Sequence, residues 1–275
     1  MLEASPTPDG LGRVRLVATD MDHSLLLEDG SLPEGLPERV EALASVGVDF
    51  AIASGRPLYT IRDFLGDLAP QVTIIGDNGG VIVHRGELLF QANLPVEEYR
   101  RMVRITNELG GVASVCALDA CYFEHNGELY DDFFGQFYTR RHYLDDLTAL
   151  DLPADKFTVY YPGYDSHEKA APYIERIGGG YSAAVTDKMW LDVAPLGVSK
   201  GAAMRRVSET LGIPVEDMAA FGDERNDTDM LETVGFGYLM ANAADFMLPY
   251  ADYIAPSNEE RGVLQVIDQI VTAHR

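Results

Sequence analysis

The sequence predicts an α/β protein, a doubly wound and mostly parallel sheet carrying an inserted α+β domain. Three observations support this. Short apolar runs alternate with amphipathic helical stretches from residue 14 to about 75, and again from about 190 to 273, which is the rhythm of strand, helix and parallel strand. The stretch between has helices separated by short strands rich in Val, Tyr and Phe, without that rhythm. Several of the apolar runs also stop abruptly at polar residues, as strands of an open sheet do where ligands bind. The expected division is residues 1–83 and 189–275 for the doubly wound domain and 84–188 for the insertion.

The first run, residues 13–19, is apolar, lacks a helical period and contains two valines, so it reads as a strand buried on both faces. It ends in Asp20 and Asp22. After an Asp29-Gly30 turn, Leu36, Val40, Leu43 and Ala44 fall on one face of a helix over 33–46, which Gly47 stops. Residues 48–53 form a second buried strand ending in Ser54-Gly55-Arg56-Pro57. The βαβ unit so formed puts Ser54 on the same sheet edge as Asp20. A helix over 57–65 and a strand over 72–75 follow, the strand running into Gly76-Asp77-Asn78-Gly79-Gly80. Residues 81–83 and 88–90 then flank His84-Arg85-Gly86-Glu87 like a hairpin.

Within the insertion, helices are expected over 96–109, 132–141 and 167–177, with strands over 112–115, 121–123, 157–161 and 181–185. The doubly wound pattern is expected to resume with a strand over 190–193 and a helix over 200–211. A strand over 218–221 breaks at Gly222-Asp223-Glu224-Arg225-Asn226-Asp227, before a helix reaching 233. A strand over 236–240, a short helix over 243–247, a strand at 253–254 and a helix over 262–273 complete the chain.

Composition narrows the function. The formal net charge of −23, from 44 acidic and 21 basic residues, argues against nucleic acid or an anionic membrane as partner, since both are themselves negative. No stretch has the length and apolarity of a membrane span, and the first dozen residues lack the pattern of a signal peptide, so a cytoplasmic location is expected. Cys116 and Cys121, the only two cysteines, fit neither a redox motif nor a zinc knuckle and read as core thiols. A monomer or homodimer is expected.

The strand ends make one chemical sense together. Two carboxylates about 4 Å apart repel by on the order of 4 kcal/mol at an effective dielectric near 20, so one protonates or a cation sits between them. Asp20, Asp22, Asp223 and Asp227 offer oxygen ligands of the kind Mg2+ prefers. Lys200 adds a further positive charge and is one of only four lysines, with Lys156, Lys169 and Lys188, against seventeen arginines. A cation at a helix N-terminus opposes the helix dipole, and a bound phosphate accounts for it.

Asp20-x-Asp22-x-Ser24-Leu25 after a buried strand, Ser54-Gly55-Arg56-Pro57, Gly197-Val198-Ser199-Lys200-Gly201 and Gly222-Asp223-x-x-Asn226-Asp227-x-x-Met230-Leu231 resemble, in order, the four motifs of the haloacid dehalogenase superfamily. The insertion between the second and third motifs, with Asp77-Asn78-Gly79-Gly80 before it, resembles the Cof-type branch with its large α/β cap. The resemblance implies a Rossmann-like core and a Mg2+-dependent phosphatase acting on a small phosphorylated metabolite, a sugar phosphate by preference. It implies Asp20 as nucleophile, forming an aspartyl-phosphate, and Asp22 as acid and then base. Ser54 and Lys200 hold phosphoryl oxygens. Asp20, Asp223 and the Asp22 carbonyl bind Mg2+, with Asp227 orienting a metal-bound water or Lys200. Asn226 ties the fourth motif to the phosphate pocket, and Gly55, Arg56, Asn78 and, from the cap, Lys188 are the further substrate-binding candidates. Asp119, His125, Asn126 and Asp187 are the other polar cap positions near strand ends or turns.

The chain departs from the family at His23-Ser24, where Gly-Thr is usual. Serine keeps the hydroxyl, whereas His23 needs a permitted backbone conformation. Two alternatives stay open: a phosphomutase with the same nucleophile, like the phosphomannomutases, which needs a bisphosphate activator, and a non-catalytic protein that binds phospho-ligands. Dehalogenation leaves the acids of the fourth motif idle.

Overall fold

Burial decides most elements. The computed structural model describes residues 2–275, the side chain of Asp187 lying outside the description. In chain order the elements are β1 (Leu16–Thr19), α1 (Leu36–Ser45), β2 (Asp49–Ala53), α2 (Leu58–Leu65), β3 (Thr73–Gly76), β4 (Val81–His84) and β5 (Glu87–Gln91). Next come α3 (Val96–Glu108), β6 (Val112–Cys116), β7 (Cys121–Glu124), α4 (Asp131–Phe134), β8 (Arg141–Leu144), β9 (Lys156–Tyr160), α5 (Ser166–Ile177), β10 (Tyr181–Asp187) and β11 (Trp190–Pro195). The remainder is α6 (Lys200–Leu211), β12 (Met218–Gly222), α7 (Thr228–Thr233), β13 (Phe236–Met240), β14 (Tyr253–Ala255) and α8 (Gly262–Ala273).

Two sheets result. The first has eight strands in the order β14-β13-β12-β1-β2-β3-β4-β5. It is parallel from β14 to β3, and β4 turns back antiparallel. Its middle strands β1, β12 and β13 are buried along their whole length, which is why they read as unbroken apolar runs. Register sets the site: Thr19 pairs with both Phe221 and Ile52, so β1, β12 and β2 finish nearly level, and Asp20, Asp223 and Ser54 leave the sheet at one edge.

The second sheet runs β10-β11-β9-β6-β7-β8 and is antiparallel except for β7 with β8. Ala113, Val115, Phe157, Val159, Leu191 and Val193 meet Tyr99, Met102, Val103, Tyr173 and Ile177 of α3 and α5. The alternate residues Val112, Cys116, Cys121, Phe123, Tyr160 and Trp190 cluster with Phe134, Tyr138 and Tyr59. That period of two is the mark of a sheet covered differently on its two faces. Cys116 and Cys121 are buried thiols, not joined in a disulfide, and face each other across the β6–β7 pair.

Contacts divide the chain into two units. One holds residues up to 55, 67–89 and 199–275, and the other 56–66 and 90–198. Residues 190–193, expected to resume the doubly wound sheet, instead lie in β11, paired antiparallel with β9 and β10. Leu191 and Val193 are buried on one face of that sheet and Trp190 on the other, so the strand looks doubly buried in sequence whichever sheet takes it. The helix expected over 132–141 is cut to α4, and the chain becomes strand again at Arg141. Phe133, Phe134, Phe137 and Tyr138 have helical spacing, but their rings pack into one aromatic group with Tyr160 and Trp190, and tertiary packing overrides local period. The short helix expected over 243–247 is a 3-10 segment at Asp245–Tyr250 that contains Pro249. Among the described residues no helix is long and apolar enough to cross a membrane.

Candidate active site

Directly after β1 the backbone makes a wide turn. The amides of Leu25 and Leu26 donate to the carbonyls of Asp20 (3.2 Å) and Met21 (2.8 Å), each five residues back. The turn closes because His23 takes φ 59° and ψ 3°, the left-handed region, with its side chain exposed. Asp22 precedes it and is half-buried. Asn242, just beyond β13, donates from Nδ2 to the His23 carbonyl at 2.7 Å. Asn258, in the loop beyond β14, donates from its side chain to the Leu26 carbonyl at 2.9 Å, and its backbone amide donates to Oδ1 of Asn242 at 3.1 Å. Neither asparagine was singled out from the sequence: Asn242 stands two residues past the buried β13 and Asn258 three past the partly buried β14, so neither marks a strand end as Asp20 does.

At the centre lies Lys200, the first residue of α6 and fully buried. Ser199 caps the helix, its Oγ accepting from the amide of Ala202 at 3.1 Å. The Lys200 ammonium donates to Asp20 Oδ1 at 2.5 Å and to Asp227 Oδ1 at 2.6 Å. Oδ2 of Asp227 accepts from the backbone amides of Asp223 (3.0 Å) and Glu224 (3.1 Å). Both oxygens of Asp227 are therefore engaged by the protein. Asp223 accepts from Ser24 Oγ at 2.9 Å, a partnership the sequence did not disclose.

Oxygens of Asp20, Asp223 and Asp227 lie within 4.8 Å of one another. Three carboxylates thus share one ammonium. Burial pushes the Asp20 carboxyl well up, Lys200 opposes this, and the charges of Asp227 and Asp223 add to it. Asp223 is pushed up to about 6, by burial first and then by Asp227. For Lys200 burial works against the charge, but Asp20 and Asp227 outweigh it and hold the ammonium above its usual range. Fully ionised, the cluster carries two uncompensated negative charges, which fits a divalent cation bound by hard oxygen ligands.

The second motif stands beside it. Ser54 is buried, and its carbonyl accepts from the amide of Asn78 at 3.0 Å. Asn78 has φ 54°, and its side-chain oxygen accepts from Asn226 Nδ2 at 3.0 Å. A Cβ on Gly55 would come within 3.2 Å of the Asn78 amide group. Ser54, Gly55, Asn78 and Asn226 are thereby brought together. Gly79 has φ 97°, and a Cβ there would lie 2.3 Å from the Ser199 carbonyl, so only glycine lets this loop reach the start of α6.

Arg56 and Lys188 belong to the other unit. The Arg56 guanidinium donates to the Gln136 carbonyl at 3.1 Å and lies over the rings of Phe64 and Phe137. Lys188 is exposed in the turn between β10 and β11, its carbonyl accepting from the amide of Ser166.

With this geometry the family can be identified. The sequence pattern of the haloacid dehalogenase-like hydrolases matches residues 17–267. The chain is 26% identical to a 5-amino-6-(5-phospho-D-ribitylamino)uracil phosphatase of Escherichia coli, over 94% of this chain and 96% of that protein. It is 31% identical to an HMP-PP phosphatase of Cronobacter sakazakii, over 85% of this chain and 86% of the other. Among solved structures, SMU.1108c of Streptococcus mutans superposes with a TM-score of 0.85 at 24% identity, covering 94% of this chain and 99% of its own.

Proposed function

The chain belongs to the haloacid dehalogenase-like hydrolases as a phosphatase of the Cof-type branch, and within that family we propose that it hydrolyses a small sugar phosphate with Mg2+ as cofactor and Asp20 as nucleophile. The observation that carries the reading is the buried Lys200 ammonium, bonded to Asp20 and Asp227 with Asp223 alongside.

In the first half-reaction an Asp20 oxygen forms a bond to phosphorus as the ester P–O bond breaks. Asp22 gives its proton to the departing alkoxide. In the second, Asp22 takes a proton from water as that water attacks the aspartyl-phosphate, which frees phosphate and returns Asp20. Lys200 fixes the Asp20 carboxylate and neutralises charge on the transferring group, and Asp227 holds Lys200. Ser54, Gly55, Asn78 and Asn226 supply donors for phosphoryl oxygens. Asp20, Asp223 and the Asp22 carbonyl are the proposed ligands of Mg2+, with Asp227 behind them, and the ion when bound neutralises phosphoryl charge. A relative whose substrate carries a phospho-ribityl chain supports a sugar-like substrate. Arg56, engaged with Gln136, and Lys188 are retained as substrate-binding candidates for the same panel.

The test is phosphate release from a panel of sugar phosphates with and without Mg2+. Asp20→Asn should lower kcat at least a thousandfold while the protein stays folded. Retained turnover in that variant removes Asp20 as nucleophile. Phosphate released from the first turnovers, with no bisphosphate added, separates hydrolysis from mutase chemistry.

A further inference from the structure

We propose that Asn242 and Asn258 are positioning residues that aim Asp22 by clamping the turn on which it rides, an inference that rests on the reading of Asp22 as acid and base. The turn from Asp20 to Leu26 is closed by two backbone bonds of the five-residue kind. It also contains a non-glycine residue, His23, in the left-handed region, a conformation in which Cβ crowds the following carbonyl oxygen. Left to itself, such a turn has several ways to relax, and each would swing Asp22.

Two asparagine side chains oppose that relaxation from outside. Asn242 binds the carbonyl of His23, the strained residue next to Asp22, and Asn258 binds the carbonyl of Leu26 at the turn's end. The pair are joined to each other, since the Asn258 amide donates to Oδ1 of Asn242. An asparagine side chain can donate and accept at once, which lets Asn242 bridge the two segments. The anchor is itself firm. Asn258 is buried, and its carbonyl accepts from the Arg261 amide at 2.8 Å. Ser257 beside it accepts at its carbonyl from Gly262 and donates from Oγ to Glu260 at 2.8 Å. The carboxyl-end loops of β13 and β14 thus fasten the turn that follows β1, with β12 lying between.

The consequence is specific to proton transfer. Asp22 matters when the leaving oxygen is a poor one, and a phenolate with an acidic parent leaves without help. Asn242→Ala should therefore lower kcat/KM for the panel's best alkyl phosphate about tenfold more than for p-nitrophenyl phosphate, the size expected for one well-aligned hydrogen bond at roughly 1.4 kcal/mol. Asn258→Ala should act in the same direction. In an Asp22→Ala background, Asn242→Ala should not change the alkyl-to-aryl ratio further, because the group it aims is gone. Equal losses on both substrates, or a further change of ratio without Asp22, would overturn the proposal. If Asp22→Ala alone leaves the ratio untouched, the acid-base reading fails first and the inference with it, whereas a ratio lost in Asp22→Ala and kept in Asn242→Ala rejects the clamp alone. Asn242 is exposed, so the variant should fold; melting curves check this.

Discussion

In the proposed metal site, Asp223 is where proton and metal ion should compete. Burial and the neighbouring Asp227 push it up to about 6, so in the metal-free protein it accepts a proton well above the usual carboxylate range. A divalent ion needs the ionised form and must displace that proton. The sign follows: above pH 6 Asp223 is already ionised and affinity is flat with respect to it, whereas below pH 6 each unit of acidification should weaken Mg2+ binding about tenfold for every proton displaced. Asp20, also pushed up by burial, steepens the dependence. Calorimetric titration with Mg2+ at pH 5 and at pH 7.5 should show the weaker binding and the proton release at the lower pH. A dissociation constant unchanged between the two would mean that these acids do not hold the ion.

At the scale of elements, the turn between β12 and α7 shows how little room the site leaves. A Cβ on Gly222 would sit 2.4 Å from Cβ of Asp227, and Asp227 is what ties Lys200 to the backbone amides of Asp223 and Glu224. Gly222→Ala must therefore displace Asp227, at a cost of about 1–3 kcal/mol for an overpacked interior site. Urea unfolding should show that loss together with a fall in kcat, and an unaltered kcat would mean the turn yields elsewhere. The same element shows why the sequence was informative here. Asp20, Ser54 and Asp223 follow strands buried on both faces, and the sheet's parallel order alone puts such ends together. Asn242 follows the fully buried β13 and Asn258 the only partly buried β14, and both act by side-chain hydrogen bonds to a neighbouring turn, where a partner 219 or 232 residues away leaves no local pattern. The insertion was harder for a related reason: the rings of 133–138 have helical spacing, yet they are held by Trp190 and Tyr160 from distant strands.

For the whole molecule the deciding fact is that each unit has its own apolar core and that, among the described residues, the acidic cluster lies in one of them. The first unit centres on a parallel sheet with Asp20, Asp223, Asp227 and Lys200 at its edge. The second contains Trp190, the only tryptophan in the chain, inside its aromatic group. The change of rhythm along the sequence separated them, but both cores use buried apolar strands, and the strand at 190–193 that sequence placed in the first sheet belongs to the second. The division makes a measurement possible. The proposed Mg2+ ligands all lie in the first unit, so at a free concentration a hundredfold above its dissociation constant the ion should stabilise that unit by about 2.7 kcal/mol. Trp190 fluorescence reports the second unit, and far-ultraviolet circular dichroism reports both. In urea, Mg2+ should move part of the dichroism transition to higher denaturant and leave the fluorescence midpoint in place. A fluorescence midpoint that moved by the full amount would show instead that the two units unfold as one cooperative body.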